Sequence, residues 1–194
     1  AGAIMAADNV LALFLLPFFG ALSDKTSTRI GRRMPFIVGG TAAAAILMNL
    51  IPLLDDRYAA SPSTGTLVLF IIVLGLLLVS MGTYRSPAVA LMPDVTPKPL
   101  RSRANAIINL MGAVGGILYL GLAAVLYPAS KTKGVEHVSY RPLFFIVSMI
   151  MVVAVVVLYL TIKEPKLEAE NQKLEAAHPE WNLATDDGTG HEVL

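Results

Sequence analysis

Long apolar runs separated by short polar loops are the main pattern along this chain. A helix needs about 20 residues to cross roughly 30 Å of hydrocarbon. Because lipid offers the backbone no hydrogen-bond partner, such runs must be helical or belong to a closed barrel, and the lack of period-2 alternation excludes the barrel. Five runs are long enough, at approximately residues 2–22, 34–54, 66–92, 104–127 and 142–162. The pattern therefore predicts an all-α integral membrane protein with five transmembrane helices.

The composition supports burial in lipid and argues against catalysis. The chain is 55% hydrophobic with a mean hydropathy of +0.66, which exceeds what a soluble domain usually carries. It has no cysteine and only three histidines, without metal-ligand spacing. No phosphate-binding glycine loop and no nucleophile–base pair is recognisable. We therefore expect no enzyme activity, no metal, no cofactor and no nucleic-acid partner.

The distribution of Lys and Arg predicts the orientation. The loops at 23–33 and 93–103 and the start of 163–194 carry nine Lys/Arg, whereas the loops at 55–65 and 128–141 carry four. The positive-inside rule places the first group in the cytoplasm. The glutamate-rich stretch after residue 162 is typical of a short solvated helix, and 182–194 is typical of a flexible tail. The tail is therefore predicted to be cytoplasmic.

The basic loop at residues 20–33 contains more than topology requires. It reads Gly-Ala-Leu-Ser-Asp-Lys-Thr-Ser-Thr-Arg-Ile-Gly-Arg-Arg and is followed by Pro35-Phe36-Ile37. This stretch resembles the loop between the second and third helices of major facilitator superfamily transporters, G-x-L-x-D-[RK]-x-G-[RK]-[RK]. Its longer spacing resembles that of the glycoside–pentoside–hexuronide:cation symporters and the sucrose-transporter group. A second resemblance to the latter group lies in residues 84–94, Tyr-Arg-Ser-Pro-Ala-Val-Ala-Leu-Met-Pro-Asp.

The resemblance implies a fold and a place within it. Residues 1–162 would be helices two to six of an N-terminal six-helix bundle, and 163–194 the start of the cytoplasmic linker. The chain begins inside an apolar run without an initiator Met, as we expect of a fragment. The first helix and the C-terminal six-helix bundle of the same protein would then be its missing partners. The lipid bilayer, in the plasma membrane, would be its surroundings.

In the family, this loop acts as a conformational latch between the two halves of the molecule. The plainer alternative for these residues is helix capping plus charge for topology. Gly20 permits close approach of a neighbouring helix, and Asp24 can accept hydrogen bonds at a helix N-terminus. The predicted latch residues are Gly20, Asp24, Lys25, Arg29, Gly31, Arg32, Arg33, Asp94, Arg101 and Arg103.

Arg85 is the strongest single signal inside an apolar run. It lies nine residues before Asp94, which is about 13 Å along a helix. An arginine at that depth is costly unless it faces a partner or a water-filled cavity. We predict that Arg85, with neighbouring Tyr84, lines a polar pathway where its guanidinium binds sugar hydroxyls or a carboxylate. A purely structural arginine is the alternative.

Two further sets of residues are candidates for substrate binding or coupling. Asp8 is an acid in the outer half of the first run, although it could also lie at the interface. The acidic positions of the melibiose-carrier branch are apolar here (Ala12 and Leu16), so H⁺ is the preferred coupling ion and Na⁺ is not excluded. Asn109 and Tyr119 share a helix face with glycines. That face could bind hydroxyl groups or serve only for helix packing.

The sequence thus predicts part of a secondary active transporter that moves a sugar or glycoside by proton- or cation-coupled alternating access. A carrier for another polar solute is one alternative, because the loop motif occurs across the superfamily. A non-transporting five-helix membrane scaffold is another.

Overall fold

The computed structural model describes residues 2–132, 134–135 and 137–183, and all regular structure in them is helical. The helices are α1 (Gly2–Lys25), α2 (Met34–Ala60), α3 (Thr64–Val95), α4 (Arg101–Leu126), α5 (Ala129–Thr132), α6 (Arg141–Thr161), α7 (Glu164–Ala177) and α8 (Glu180–Leu183), with one 3₁₀ turn at Lys98–Leu100 before α4. The prediction of an all-α membrane fold is confirmed.

Four of these helical stretches are long and apolar enough to cross a membrane: Met34–Ala60, Thr64–Val95, Lys98–Leu126 and Arg141–Thr161. Helix α1, with 24 residues, coincides with the first predicted run. The count of five spans stays a prediction. Several helices begin with proline in the first turn, as α2, α6 and α7 do. Proline is favoured there because its missing N–H would have no partner within the helix.

The core lies where α2 packs against α3 and α6, while α1 packs on the other side of α3. Its buried side chains are Ala44, Ile51, Leu54, Val73 and Leu77. Glycine allows the closest approaches: a Cβ at Gly40 would lie 2.9 Å from Tyr84 Cβ, and one at Gly20 would lie 3.0 Å from Ser86 Oγ. The predicted role of Gly20 in close packing is consistent with this contact between α1 and α3.

The structure differs from the predicted solvated helix after residue 162. Helix α7 lies against the ends of other helices, and Glu164 and Asn171 on it are buried. This end of the bundle, with residues 23–33, 93–103 and α7, is called the linker end. Residues 55–60 of the predicted loop 55–65 belong to α2, and at the opposite end of the bundle Asp56 on this helix contacts His137 in the loop before α6. Residues 184–194 and the side chain of Asp8 lie outside the described residues, and residues 182 and 183 of the predicted tail belong to α8.

A candidate conformational latch at the linker end

Arg33 joins three helices at the linker end. Its Nε lies 2.5 Å from Asp94 Oδ2 at the end of α3, and its Nη2 lies 2.8 Å from Asp24 Oδ1 at the end of α1. Its Nη1 also donates a hydrogen bond to Ser23 Oγ at 3.0 Å. Arg33 itself is only 6% exposed. Burial by itself would lower the Arg33 pKa, but the hydrogen bond and charge of Asp94, together with Asp24, raise it. The guanidinium therefore stays charged and holds the three helix ends together.

Arg32 extends these contacts to the linker helix. Its Nη2 lies 2.7 Å from Glu168 Oε1 on α7 and 3.4 Å from Asp94 Oδ2. Asp94 is thus shared by two arginines. The residues Asp24, Arg32, Arg33, Asp94, Glu164 and Glu168 are called the linker-end cluster.

Glu164 caps helix α2 from a position 130 residues away in the sequence. Its side chain is fully buried, and its carboxylate accepts hydrogen bonds from the backbone N–H groups of Arg32, Arg33 and Met34, each at 2.9 Å for the shortest contact. The first N–H groups of a helix lack partners within it and carry partial positive charge. The cap therefore satisfies these donors and binds α7 to the start of α2.

Gly31 is required by two independent features of this cap. Its φ is +123°, a conformation that is costly for residues with a side chain. A Cβ at this position would also lie 2.1 Å from Glu164 Oε2. The glycine of the loop motif therefore provides the space that the Glu164 carboxylate occupies.

The end of α3 receives further hydrogen bonds from the linker side. Asn171 Nδ2 on α7 donates to the carbonyl oxygens of Asp94 at 3.0 Å and Thr96 at 3.3 Å. Arg101 Nε donates to the same Thr96 carbonyl, and Arg101 Nη2 lies 2.9 Å from Glu175 Oε1. These bonds satisfy carbonyl groups that have no partner within α3.

The structure brings together only some of the predicted latch residues. Asp24, Arg32, Arg33 and Asp94 meet directly, with Gly31 beside them. Arg101 pairs with Glu175 and not with Asp94 or Asp24. Among the described residues, Lys25, Arg29 and Arg103 make no ion pair, and all three are exposed. That these residues form a latch stays a prediction.

The candidate pathway residues do not form a site in the described part of the chain. Arg85 is exposed on a face of α3 that it shares with Met81 and Val89, and no hydrogen bond or ion pair to a described residue is seen. Neighbouring Tyr84 points elsewhere, because its Cβ packs against Gly40 of α2. Their roles stay predictions.

The candidates on α4 are also apart from Arg85. Asn109 Nδ2 donates to the Asn105 carbonyl of its own helix at 3.0 Å, and Tyr119 is 48% exposed. No hydrogen bond joins either residue to α3 within the described ranges. A Cβ at Gly112 or Gly116 would meet nothing within 4 Å, so the predicted packing face is open in this structure.

The sequence interpretation did not identify the α7 residues of the site. Glu164, Glu168, Asn171 and Glu175 follow one another at spacings of four, three and four. That spacing places them on one face of a helix. An acidic and amide stripe of this kind, following a basic loop at the same end of the bundle, was the signal that could have predicted the docking of α7.

Comparison with known proteins shows the family of this chain. The chain is 35% identical over 121 residues to the sucrose transport protein SUC3 of Arabidopsis thaliana, covering 56% of this chain and 20% of the relative. It is 28% identical over 187 residues to the sucrose transport protein SUT2 of Oryza sativa subsp. indica, covering 86% of this chain and 37% of the relative. The chain therefore spans about a fifth to two fifths of the relatives it matches. No solved structure matches. The family model described as Major Facilitator Superfamily matches residues 1–185, and the chain therefore belongs to the major facilitator superfamily of integral membrane transporters.

Proposed function

We propose that this chain is part of a secondary active transporter that moves a sugar or glycoside across the plasma membrane by alternating access coupled to H⁺. The observation that carries the proposal is the linker-end cluster, in which the loop motif of the superfamily holds three helix ends and α7 through buried charges. The names of the sucrose transport relatives support a sugar as substrate. A transporter needs no catalytic site, and we propose no enzyme activity.

The cluster would act as a rigid frame for the gate on the cytoplasmic side. Arg33 and Glu164 are buried, so breaking their contacts would leave charges unpaired in a poorly solvated place. The ends of α1, α2 and α3 would therefore move together with α7. Lys25, Arg29 and Arg103 are exposed without ion pairs in the described part of the chain. These three cations would be the residues that meet a second bundle and latch one conformational state.

The transport pathway would run along the exposed face of α3 that carries Arg85. A charged side chain inside a membrane span is costly unless it faces water or a partner. Asp8, Asn109 and Tyr119 would complete the polar surface once the remaining helices of the transporter surround it. The coupling ion would be H⁺, exchanged at an acidic group such as Asp8.

The proposal can be tested on the full-length transporter in proteoliposomes. Counterflow of a panel of labelled sugars would identify the substrate, and an imposed inward H⁺ gradient should accelerate its uptake. A protonophore should remove that acceleration. Acceleration by a Na⁺ gradient alone would instead establish sodium coupling. If the protein exchanges no sugar but does exchange another polar solute, that solute is the substrate instead of a sugar. Exchange of no solute at all would favour a scaffold.

A further inference from the structure

The end of the bundle opposite the linker holds a second charged cluster that the proposed function does not use. Asp55 and Asp56 end the apolar part of α2, and His137 lies in the loop before α6. His137 Nε2 lies 2.8 Å from Asp56 Oδ1 and 3.9 Å from Asp55 Oδ2. One ligand atom from each of the three residues lies within 4.8 Å of the other two. Asp56 and His137 are 81 residues apart in the sequence, and the fold brings their side chains together with that of Asp55.

The geometry points to a site for a divalent transition-metal ion, which we propose binds His137, Asp55 and Asp56. Zn²⁺ takes histidine nitrogen and carboxylate oxygen at about 2.0–2.2 Å, which places neighbouring ligand atoms about 3.3 Å apart in a tetrahedral site. The two measured distances from His137 Nε2, 2.8 and 3.9 Å, lie on either side of that value. Side-chain shifts of about half an ångström would therefore bring both carboxylates to that distance from the imidazole, and the ligand atoms of Asp55 and Asp56 lie within 4.8 Å of each other.

The other oxygen of Asp56 is already held in place. Asp56 Oδ2 accepts a hydrogen bond from Ser139 Oγ at 2.7 Å and lies 2.6 Å from Arg141 Nε. Hydrogen bonds of this kind orient a carboxylate ligand and leave the opposite oxygen for the metal. Asp56 Oδ1 is thereby directed at His137.

The charge balance also favours a cation. Among the described side chains, the charged groups that pair at this point are Asp55 and Asp56 on α2 and Arg141 on α6, and with a neutral imidazole they sum to one negative charge. Asp55 is half exposed, and apart from its 3.9 Å approach to His137 it has no polar partner among the described side chains. Because imidazole nitrogen is one of the three ligands, the site should prefer Zn²⁺ to Mg²⁺, which takes oxygen ligands. The bound ion would tie the end of α2 to the loop before α6.

The test is binding of Zn²⁺ to the purified full-length protein, from which any polyhistidine tag has been removed. Isothermal titration should show a Zn²⁺ site, and thermal unfolding should shift to higher temperature with rising Zn²⁺ because the ion binds the folded state. Mg²⁺ at the same concentrations should leave the unfolding temperature unchanged. His137→Ala and Asp55→Asn should each weaken Zn²⁺ binding at least about tenfold, since even loss of supporting groups around a metal costs this much.

His178→Ala is the matched control, because His178 also lies beside a carboxylate, with Nδ1 2.7 Å from Glu180 Oε1. This variant should keep the Zn²⁺-dependent shift. If His137→Ala does not fold, Asp55→Asn still tests the site, because Asp55 is half exposed and the substitution keeps the shape of the side chain. A shift that survives both His137→Ala and Asp55→Asn, an equal shift with Mg²⁺, or no Zn²⁺ binding by the wild-type protein would each overturn the proposal.

Discussion

The linker-end cluster and helix α4 differ in the burial of their polar groups and in the partners of those groups. In the cluster, Arg33 and Glu164 are buried and each makes several hydrogen bonds or ion pairs to other elements. On α4, residues 105–121 are all exposed, and among the described residues Asn109 forms hydrogen bonds only within its own helix. The contacts of Arg33 and Glu164 within the described chain explain why these polar groups are there. No such contacts to other helices are seen for the exposed polar residues of α4, so we expect their role to depend on what surrounds them in the full-length transporter.

Arg85 belongs to the open region and should give the largest effect. Arg85→Leu removes a costly charge from the apolar part of α3, so insertion and expression in the full-length transporter should be normal while sugar uptake is abolished. Arg85→Lys keeps the charge but loses the planar donor pair and should weaken substrate affinity. Val89→Leu, on the same exposed face, is the control and should transport normally. Poor expression of Arg85→Leu together with normal uptake by Arg85→Lys would show that Arg85 stabilises the fold. Arg85 would then have the same kind of role as the buried charges of the linker-end cluster.

Gly31→Ala should have the next largest effect, and it acts on the cluster. The added Cβ would collide with the Glu164 carboxylate, and the φ of +123° would be strained. Strain of this kind alone costs about 1–3 kcal/mol. We expect α7 to detach, which limited proteolysis between α6 and α7 would detect, and uptake to fall severely. Gly39→Ala, where a Cβ meets nothing within 4 Å, should change neither readout. If Gly31→Ala keeps α7 resistant to protease, the cap is not what holds this helix.

Asp94→Asn should slow transport more than Asp24→Asn does. Asp94 pairs with both Arg32 and Arg33, whereas among the described residues Asp24 pairs only with Arg33, and its side chain is 54% exposed. A change of about 1.4 kcal/mol already shifts a two-state equilibrium tenfold. Removing one partner of a buried ion pair costs more free energy than removing one partner of an exposed pair. Initial uptake rates and sugar binding should be measured for both variants, and binding should survive. Equal rates for Asp24→Asn and wild type would show that Asp24 is not needed for the rigid frame that we propose.

Arg101→Gln should have the smallest effect. Its pair with Glu175 is partly exposed, with side-chain exposures of 35% and 23%, and such pairs contribute about 1 kcal/mol or less. Thermal unfolding of Arg101→Gln, Glu175→Gln and the double variant would give the coupling between them. A coupling as large as that between Arg33 and Asp94 would mean that Arg101 belongs to the cluster after all.

The apolar runs predicted the helices and their order, with ends that differ from the structure by a few residues. Residues 34–54 became Met34–Ala60 and residues 142–162 became Arg141–Thr161. Hydrophobic length is a local property, so it can be read directly. Asp24 and Arg33 in one loop and Asp94 in the next were assigned to one predicted latch, because opposite charges at one end of a bundle attract each other; the structure pairs them, and the latch itself stays a prediction. The partner of Arg101 could not be predicted in this way, because a charge pattern does not say which of several acids is nearest.

The membrane class, the helices and the charged residues at each end could all be inferred from the amino-acid pattern. The burial of Glu164 could not, because this residue lies in a stretch predicted to be solvated and yet is fully buried next to Gly31, where it caps α2. The physical reason is that the first N–H groups of a helix donate to any suitable acceptor that packing brings within about 3 Å. In this chain that acceptor comes from another helix 130 residues later, and no local pattern around residue 34 specifies it.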